Sequence, residues 1–289
     1  MNEPAVIAHS AVKFCSRTPA SGSGAPHGTT TLASEALAVE EPLEIRLGGR
    51  HFTLTMRTPG HDHELVAGFL LTEGFIASRK ELGEIRAVRD ARGKPEPNIV
   101  DVILDVPAAA LRERLRRNFI ISSSCGVCGK TSIEAIQRRV ATLKDSLRID
   151  ATSLLAMPRL MRATQDVFQV TGGLHAAALF RPPKCAVGSS PQLIALREDV
   201  GRHNAVDKLL GYALMHELLP PTDCVLMVSG RLSFELVQKA AVAGVAIVAA
   251  VSAPSSLAVS LAEEVGMTLA GFVRDGSFNV YTHAERIVV

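Results

Sequence analysis

Residues 224–251 read "CVLMVSGRLSFELVQKAAVAGVAIVAAV". "CVLMV" is a short apolar run of strand length, "SGR" a small polar break, and "LSFELVQKAAVAG" a helical stretch ending in glycine. "VAIVAAV" is a second buried run. A strand, a loop, a helix and a strand in this order predict a parallel crossover unit. The pattern continues: "SAPSS" breaks the chain, "LAVSLAEEVG" is helical, and "TLAGFV" is a third strand before "RDGS". Two consecutive units predict an α/β domain with a parallel sheet over residues 158–289.

Upstream the pattern changes. Residues 36–106 suggest a small α+β domain: "LEIRLGGRHFTLTMRT" reads as a hairpin turning at Gly48–Gly49, and "DHELVAGFLLTEGFI" places Leu65, Phe69 and Leu70 on one helical face behind Asp62 as N-cap. "NIVDVILDV" is a later strand. Residues 107–157 connect the two parts through a basic helix, "PAAALRERLRRN", and a cysteine loop. Residues 1–35, rich in Ser, Gly, Pro and Thr around "SRTPASGSGAPHGTTT", predict a disordered tail.

Composition narrows the function. The 289 residues are 47% apolar, enough for a sizeable core, and the net charge of +2 gives no support to general nucleic-acid binding. The N-terminus lacks the pattern of a secretory signal, and the longest apolar run is shorter than the roughly 20 residues a bilayer requires. Five cysteines in a chain of this length do not suggest a disulfide scaffold. The expected setting is the reducing cytoplasm, without nucleic-acid or membrane partners.

There the pair in "SSSCGVCGKT", Cys125 and Cys128, bears on chemistry. Gly129-Lys130-Thr131 fits the second half of a phosphate-binding P-loop, but Ser124 stands where its first glycine belongs. One Cys-x-x-Cys is half of a structural zinc site, and His61 and His63 are a weak second half. Two small residues in a glycine turn could also be inert. Thiol chemistry fits best: a helix N-terminus after Thr131 and the cation of Lys130 both favour a thiolate. The residues do not say whether electrons or sulfur atoms move.

A second site is expected where the strands end, since ligands of open α/β sheets bind beyond the carboxyl ends. Those ends carry Ser229, Gly230 and Arg231, then Ser252, Ser255 and Ser256, then Arg274, Asp275, Gly276 and Ser277. Helix N-termini, hydroxyls and guanidinium groups suit a phosphorylated ligand. Helix capping alone would explain the serines but not the arginines. His175 in "TGGLHAAALF" and Asp199, Arg202 and His203 in "REDVGRHNAVDKLLG" are placed to join them, His203 as phosphate ligand or proton shuttle. Asp207 and Lys208 in the same helix read as surface or intersubunit residues.

"EEPLEIR", "MRTPGHDHELVAGFLLTEG", "SSSCGVCGK", "TGGLHAAALF", "REDVGRHNAVDKLLG", "VSGRLSFELVQKAAVAG" and "VSAPSSLAV" together resemble the FdhD family of formate dehydrogenase accessory sulfurtransferases, in order from about residue 40 to the C-terminus. The resemblance implies a cytidine deaminase-like three-layer α/β domain beside a small domain, and a homodimer. It implies a persulfide on Cys125, assisted by Cys128, loaded by a cysteine desulfurase. The sulfur would pass to the molybdenum cofactor, a bis(molybdopterin guanine dinucleotide), before insertion into the formate dehydrogenase apoprotein. The segment Phe272, Val273, Arg274, Asp275, Gly276 and Ser277 would contribute to the cofactor site. Zinc deaminases carry His-x-Glu followed by Pro-Cys-x-x-Cys. That ordered signature is missing here, so neither deamination nor a catalytic metal is predicted.

Overall fold

The computed structural model describes residues 4–17, 27–123, 142–143, 147–183, 190–274 and 276–289. Its central feature is a six-stranded sheet built from β8 (His175–Arg181), β9 (Gln192–Asp199), β10 (Val225–Val228), β11 (Ile247–Ala250), β12 (Thr268–Arg274) and β13 (Ser277–Thr282), in the order β13-β12-β11-β10-β8-β9. The strands expected from residues 224–273 are β10, β11 and β12, and they pair in parallel. The sheet is nevertheless mixed: β8 joins β10 antiparallel, β9 joins β8 antiparallel, and β13 joins β12 antiparallel. The connections from β9 to β10, β10 to β11 and β11 to β12 are helical and those four strands share one direction, whereas β8 and β13 run against their neighbours.

Each inner strand splits its side chains between two cores, as a period of two requires. Leu226, Val248 and Leu269 face a core shared with α5 (Arg202–Met215), α6 (Phe234–Val242) and α7 (Ser256–Val265). Val225, Met227, Ile247 and Ala270 face the other side, where Leu154, Met157 and Met161 of α3 (Ala151–Ala163) cover the sheet. Burial on both faces explains why these strands read as unbroken apolar runs. Asp150 caps α3, its carboxylate accepting from Ser153 N at 2.8 Å. Ile149 and Asp150 form β7, which pairs in parallel with β14 (Ile287–Val288). The boundary expected at 157/158 therefore falls inside α3, and the C-terminal unit includes residues from Ile149.

The small unit is a four-stranded sheet, β4-β3-β6-β5, made of β3 (Glu41–Leu47), β4 (Arg50–Arg57), β5 (Leu82–Arg89) and β6 (Pro95–Leu104), with α1 (Asp62–Thr72) against it. The β3–β4 turn falls at Gly48 and Gly49, both at positive φ (58° and 78°), as their sequence suggests. Asp62 is the first residue of α1 rather than its cap. His61 holds that position in a left-handed conformation, and Asp62 instead binds Arg57, with Nε–Oδ1 at 3.0 Å. The basic helix expected after Pro107 is α2 (Ala108–Ser123).

The two units are joined through α1 and α5. Gly68 and Gly211 lie where the helices cross, and a Cβ on either would come within 1.8 Å of a backbone oxygen of the other helix, that of Asp207 or Glu64. Beside this crossing, Asp207 and Lys208 are buried, contrary to the surface role expected for them. Lys239 Nζ of α6 donates to Asp207 Oδ2, Thr72 Oγ1 and Glu73 Oε1, each at 2.9 Å. Lys208 Nζ pairs with Asp199 Oδ2 at 2.8 Å and donates to Thr58 O at 2.7 Å. As helical neighbours the two residues point apart, and each finds its own opposite charge.

The expected disordered tail is corrected over its described part. β1 (Val6–Arg17) and β2 (His27–Ala38) pair antiparallel from Val6↔Ala38 to Arg17↔His27. Residues 18–26, which dominate the Ser, Gly and Pro content, lie outside the described residues. Averaging composition over the whole segment masked the Val, Ile, Phe, Leu and Thr residues on either side, which favour extended chain.

Candidate functional site

The carboxyl ends of β10, β11 and β12 lie at one sheet edge. Because β8 runs antiparallel to β10, its first residue His175 reaches the same edge, as does Asp199 at the end of β9, its partner in register. The N-termini of α5, α6 and α7 follow from these strands. The fold thus brings together segments separated by up to 100 residues of chain.

The loops are tied to one another. Ser229 N donates to Ala176 O at 3.0 Å, and Ser229 Oγ accepts from Ala176 N at 2.9 Å. Its hydroxyl is therefore partly committed to anchoring β10 on β8. A Cβ at Gly230 would lie 3.3 Å from His175 Nδ1, so glycine leaves room for the imidazole against the loop. Leu232 bridges Pro254, with Leu232 N donating to Ala253 O at 3.1 Å and Ser255 N to Leu232 O at 2.9 Å. Ser252 O accepts from Phe272 N at 3.2 Å, linking the second loop to the third strand.

Predicted residues differ in what they offer. Arg231, Ser255, Ser256, Arg274, Gly276 and Ser277 are exposed. Ser255 caps α7, its Oγ accepting from Ala258 N at 3.3 Å. Val273 is fully buried in the core beneath the sheet, so its side chain packs instead of facing the edge. Phe272 has a left-handed backbone, φ 52°, and the guanidinium of Arg274 lies 5.5 Å from its ring centre. Arg274 pairs with Ser277 across a hairpin whose Gly276 has φ 80°, so this third segment is a turn between β12 and β13. Asp275, Cys125 and Cys128, with Lys130 and the helix expected after Thr131, lie outside the described residues.

The histidines gather around α5. His203 Nε2 is 3.9 Å from Glu235 Oε2. Burial, then the cations of Arg202 and Lys239, push His203 below the usual imidazole range, and burial followed by Arg202 does the same to His175. Both rings therefore favour the neutral form at neutral pH, able to donate one hydrogen bond and accept another. Arg202 Nε, His203 Nε2 and Ser233 Oγ are buried atoms without a hydrogen-bond partner. Buried polar atoms are nearly always paired, and three orphans around two helix N-termini fit a bound polar or anionic group.

Asp199 is the hidden organiser. It is completely buried; Oδ1 accepts from Gly201 N at 2.8 Å and from Asn204 Nδ2 at 3.1 Å, and Oδ2 accepts from Thr58 N at 3.1 Å. These bonds fix the start of α5 and fasten it to the small unit. Sequence placed Asp199 near the helix start but could not show its long-range partner Thr58. Ser233 and Glu235 were missed altogether: Ser233 reads as an ordinary cap and Glu235 as a solvated helix residue. An open cleft of about 1280 Å³ between the small unit and the far ends of α5 and α6 includes Arg79, Glu84 and Pro220. It shares no residue with the strand-end segments.

Fold and site define an α/β protein whose mixed six-stranded sheet is covered by helices on both faces and ends in an edge of polar loops and helix N-termini. The FdhD/NarQ family profile matches residues 38–288, and the chain belongs to that family. It is 51% identical over 264 residues to the sulfur carrier protein FdhD of Mycolicibacterium paratuberculosis, covering 90% of this chain and 94% of the relative. The protein of that name from Mycobacterium tuberculosis is 50% identical, with 88% and 92% covered. One from Thermoplasma volcanium is 43% identical, with 89% and 91% covered. A crystal structure of a candidate formate dehydrogenase accessory protein from Desulfotalea psychrophila superposes with a TM-score of 0.72 at 26% identity, covering 99% of this chain and all of that one. Among the described residues no helix is long and apolar enough to cross a membrane.

Proposed function

We propose that this chain is a sulfur carrier for formate dehydrogenase maturation. It takes sulfur from a cysteine desulfurase onto Cys125 and delivers it to the molybdenum cofactor, its substrate, held at the strand ends. The observation that carries the cofactor half is the group of unpartnered buried atoms on Arg202, His203 and Ser233. A guanine nucleotide's phosphates offer the acceptor oxygens that these donors and the α5 and α6 N-termini lack. Arg231, Arg274 and the serines at 252, 255 and 256 extend the same edge. Helices on both faces of the sheet support the deaminase-like three-layer reading, without the zinc signature of the deaminases.

The thiol half rests on Cys125 and Cys128 in sequence and on the names of the relatives. In loading, the Cys125 thiolate attacks the outer sulfur of the desulfurase persulfide, forming Cys125–S–S⁻ and releasing the desulfurase thiol. In release, Cys128 attacks the Cys125 sulfur and expels sulfide. This leaves a Cys125–Cys128 disulfide, which a cellular thiol reductant reopens.

Mass spectrometry of the chain after incubation with desulfurase and cysteine should find one added sulfur on Cys125. Formate dehydrogenase matured with Cys125→Ala should be inactive. An unmodified Cys125 would sink the transfer reading. Full maturation by Cys125→Ala would instead make the protein a chaperone for the cofactor, and dithiol turnover without desulfurase would make it a thiol oxidoreductase.

A further inference from the structure

The exposed face of β13 carries Ser277, Asn279 and Tyr281 in alternation. The period of two calls for polar side chains there, and Tyr281 breaks the pattern with a ring that is 37% exposed. Among the described residues only Phe14 and Tyr281 are exposed aromatics. Other rings have partners. Phe52, Phe69 and Phe75 pack on one another, and Phe168 of α4 (Asp166–Thr171) lies 3.7 Å from the guanidinium of Arg162. Tyr212 and His216 have ring centres 4.3 Å apart. Neither a ring nor a guanidinium among the described residues lies against Tyr281 in this way. Tyr281 is nevertheless seated. A Cβ at Gly271 would lie 3.1 Å from its Cε2, 3.0 Å from Pro254 Cδ and 3.2 Å from Ser252 O. Glycine at 271 therefore leaves the space that the ring occupies beside the loop opening α7, and α7 itself packs beside β13. A ring held in this way has little freedom left to lose when a ligand arrives.

The same loop belongs to the strand-end edge. Leu232 pairs with Pro254 in a parallel bridge, and Pro254 meets Gly271. Ser233, next after Leu232, is thus two inter-strand steps from Gly271 and the ring over it, roughly 10 Å. Ser233 Oγ lies among the orphaned atoms of the edge, with Arg202 Nε and His203 Nε2. A ribose and two phosphates bridge a separation of that order between a base and an anion site. We infer that Tyr281 is a stacking platform for the guanine base of the nucleotide whose phosphates lie at the N-termini of α5 and α6. The inference rests on the reading of the strand ends as the cofactor's site. The π-face of a tyrosine takes a planar heterocycle by offset stacking and buries no charge in doing so. Stacking tolerates any base, so Tyr281 positions the base and leaves its selection to polar groups.

The test uses the full chain and calorimetry with two ligands, GDP and pyrophosphate, the second having the phosphates without the base. Wild type should bind both. Tyr281→Ala should weaken GDP binding about tenfold or more and leave pyrophosphate binding within about twofold, whereas Tyr281→Phe, which keeps the ring, should match the wild type for both. The sequence contains no Trp, so Tyr281→Trp supplies a single reporter. GDP should quench its emission and pyrophosphate should not, and this readout stands if the alanine variant misfolds. Equal loss of GDP and pyrophosphate affinity in folded Tyr281→Ala would make the ring a structural support and overturn the inference. Unchanged GDP affinity, or an unquenched Trp in protein that binds GDP, would overturn it as well while leaving the cofactor reading intact. Loss of 6-hydroxymethylpterin binding in Tyr281→Ala, with GDP affinity kept, would give the platform to the cofactor's pterin and overturn the guanine assignment. A wild type that binds no GDP would remove the cofactor reading and this inference together.

Discussion

Gly68 and Gly211 are where a single atom decides whether the two units fit. A methyl group at either would have to occupy the space of a backbone oxygen 1.8 Å away, and neither helix can yield locally. Gly68→Ala or Gly211→Ala should destabilise the protein by about 3 kcal/mol or more, read as a lower urea midpoint. Glu64 gives a pH-dependent counterpart nearby. Burial pushes its carboxyl up, but hydrogen bonds from Arg197 and His61 outweigh this and hold it at about 2, against 4.5 for the free group. A carboxyl with a depressed folded pKa adds stability that is complete above the unfolded pKa. That contribution is lost as pH falls from about 4.5 towards 2. Glu64→Gln should flatten the stability–pH curve in that window, measured by denaturant unfolding at successive pH values. A variant curve parallel to wild type there would refute the assignment.

Among the elements, the start of α7 separates structure from binding. Ser255 both caps the helix and stands at the exposed ligand edge. Ser255→Ala should lower stability by about 1 kcal/mol. Asp is an equally good cap, so Ser255→Asp should keep the stability of the wild type while setting a carboxylate against the ligand's phosphates. We expect at least a tenfold loss of guanine-nucleotide affinity by calorimetry for Ser255→Asp. Unchanged affinity would mean that Ser255 only caps. The hairpin closed by Gly276 was legible in sequence, since Asp-Gly between the runs "TLAGFV" and "SFNVYT" is a hairpin signal, but "RDGS" was read only as a strand-end loop. The pairing of β13 with β12 shows the turn.

At the scale of the whole molecule, the buried cluster of Lys239, Asp207, Thr72 and Glu73 couples the units. Removing one partner strands a charge in a dry interface, so Lys239→Met should cost about 3–5 kcal/mol. Adding Asp207→Leu removes the stranded carboxylate and should recover a large part of that loss. Additive penalties in a double-mutant cycle would show that the ions do not interact. The wild type should unfold in one transition with coincident probes in both units, because α1 and α5 cannot separate without exposing this cluster.

The local pattern of residues 224–273 determined three parallel strands and their helices, since burial on both faces writes a continuous apolar run into each strand. It also located the strand-end loops and, through His175 and Arg202, much of what surrounds the candidate site. Local pattern could not reveal that Asp207 and Lys208 are interior residues. Charge type predicts exposure, and only partners outside their own helix, Lys239, Thr72, Asp199 and Thr58, make their burial tolerable. Nor could it show that Val273 belongs to the core while its neighbours face the edge, or which buried donors lack partners. Those properties arise from distances between segments, and the chain acquires them only when the two units close on Gly68 and Gly211.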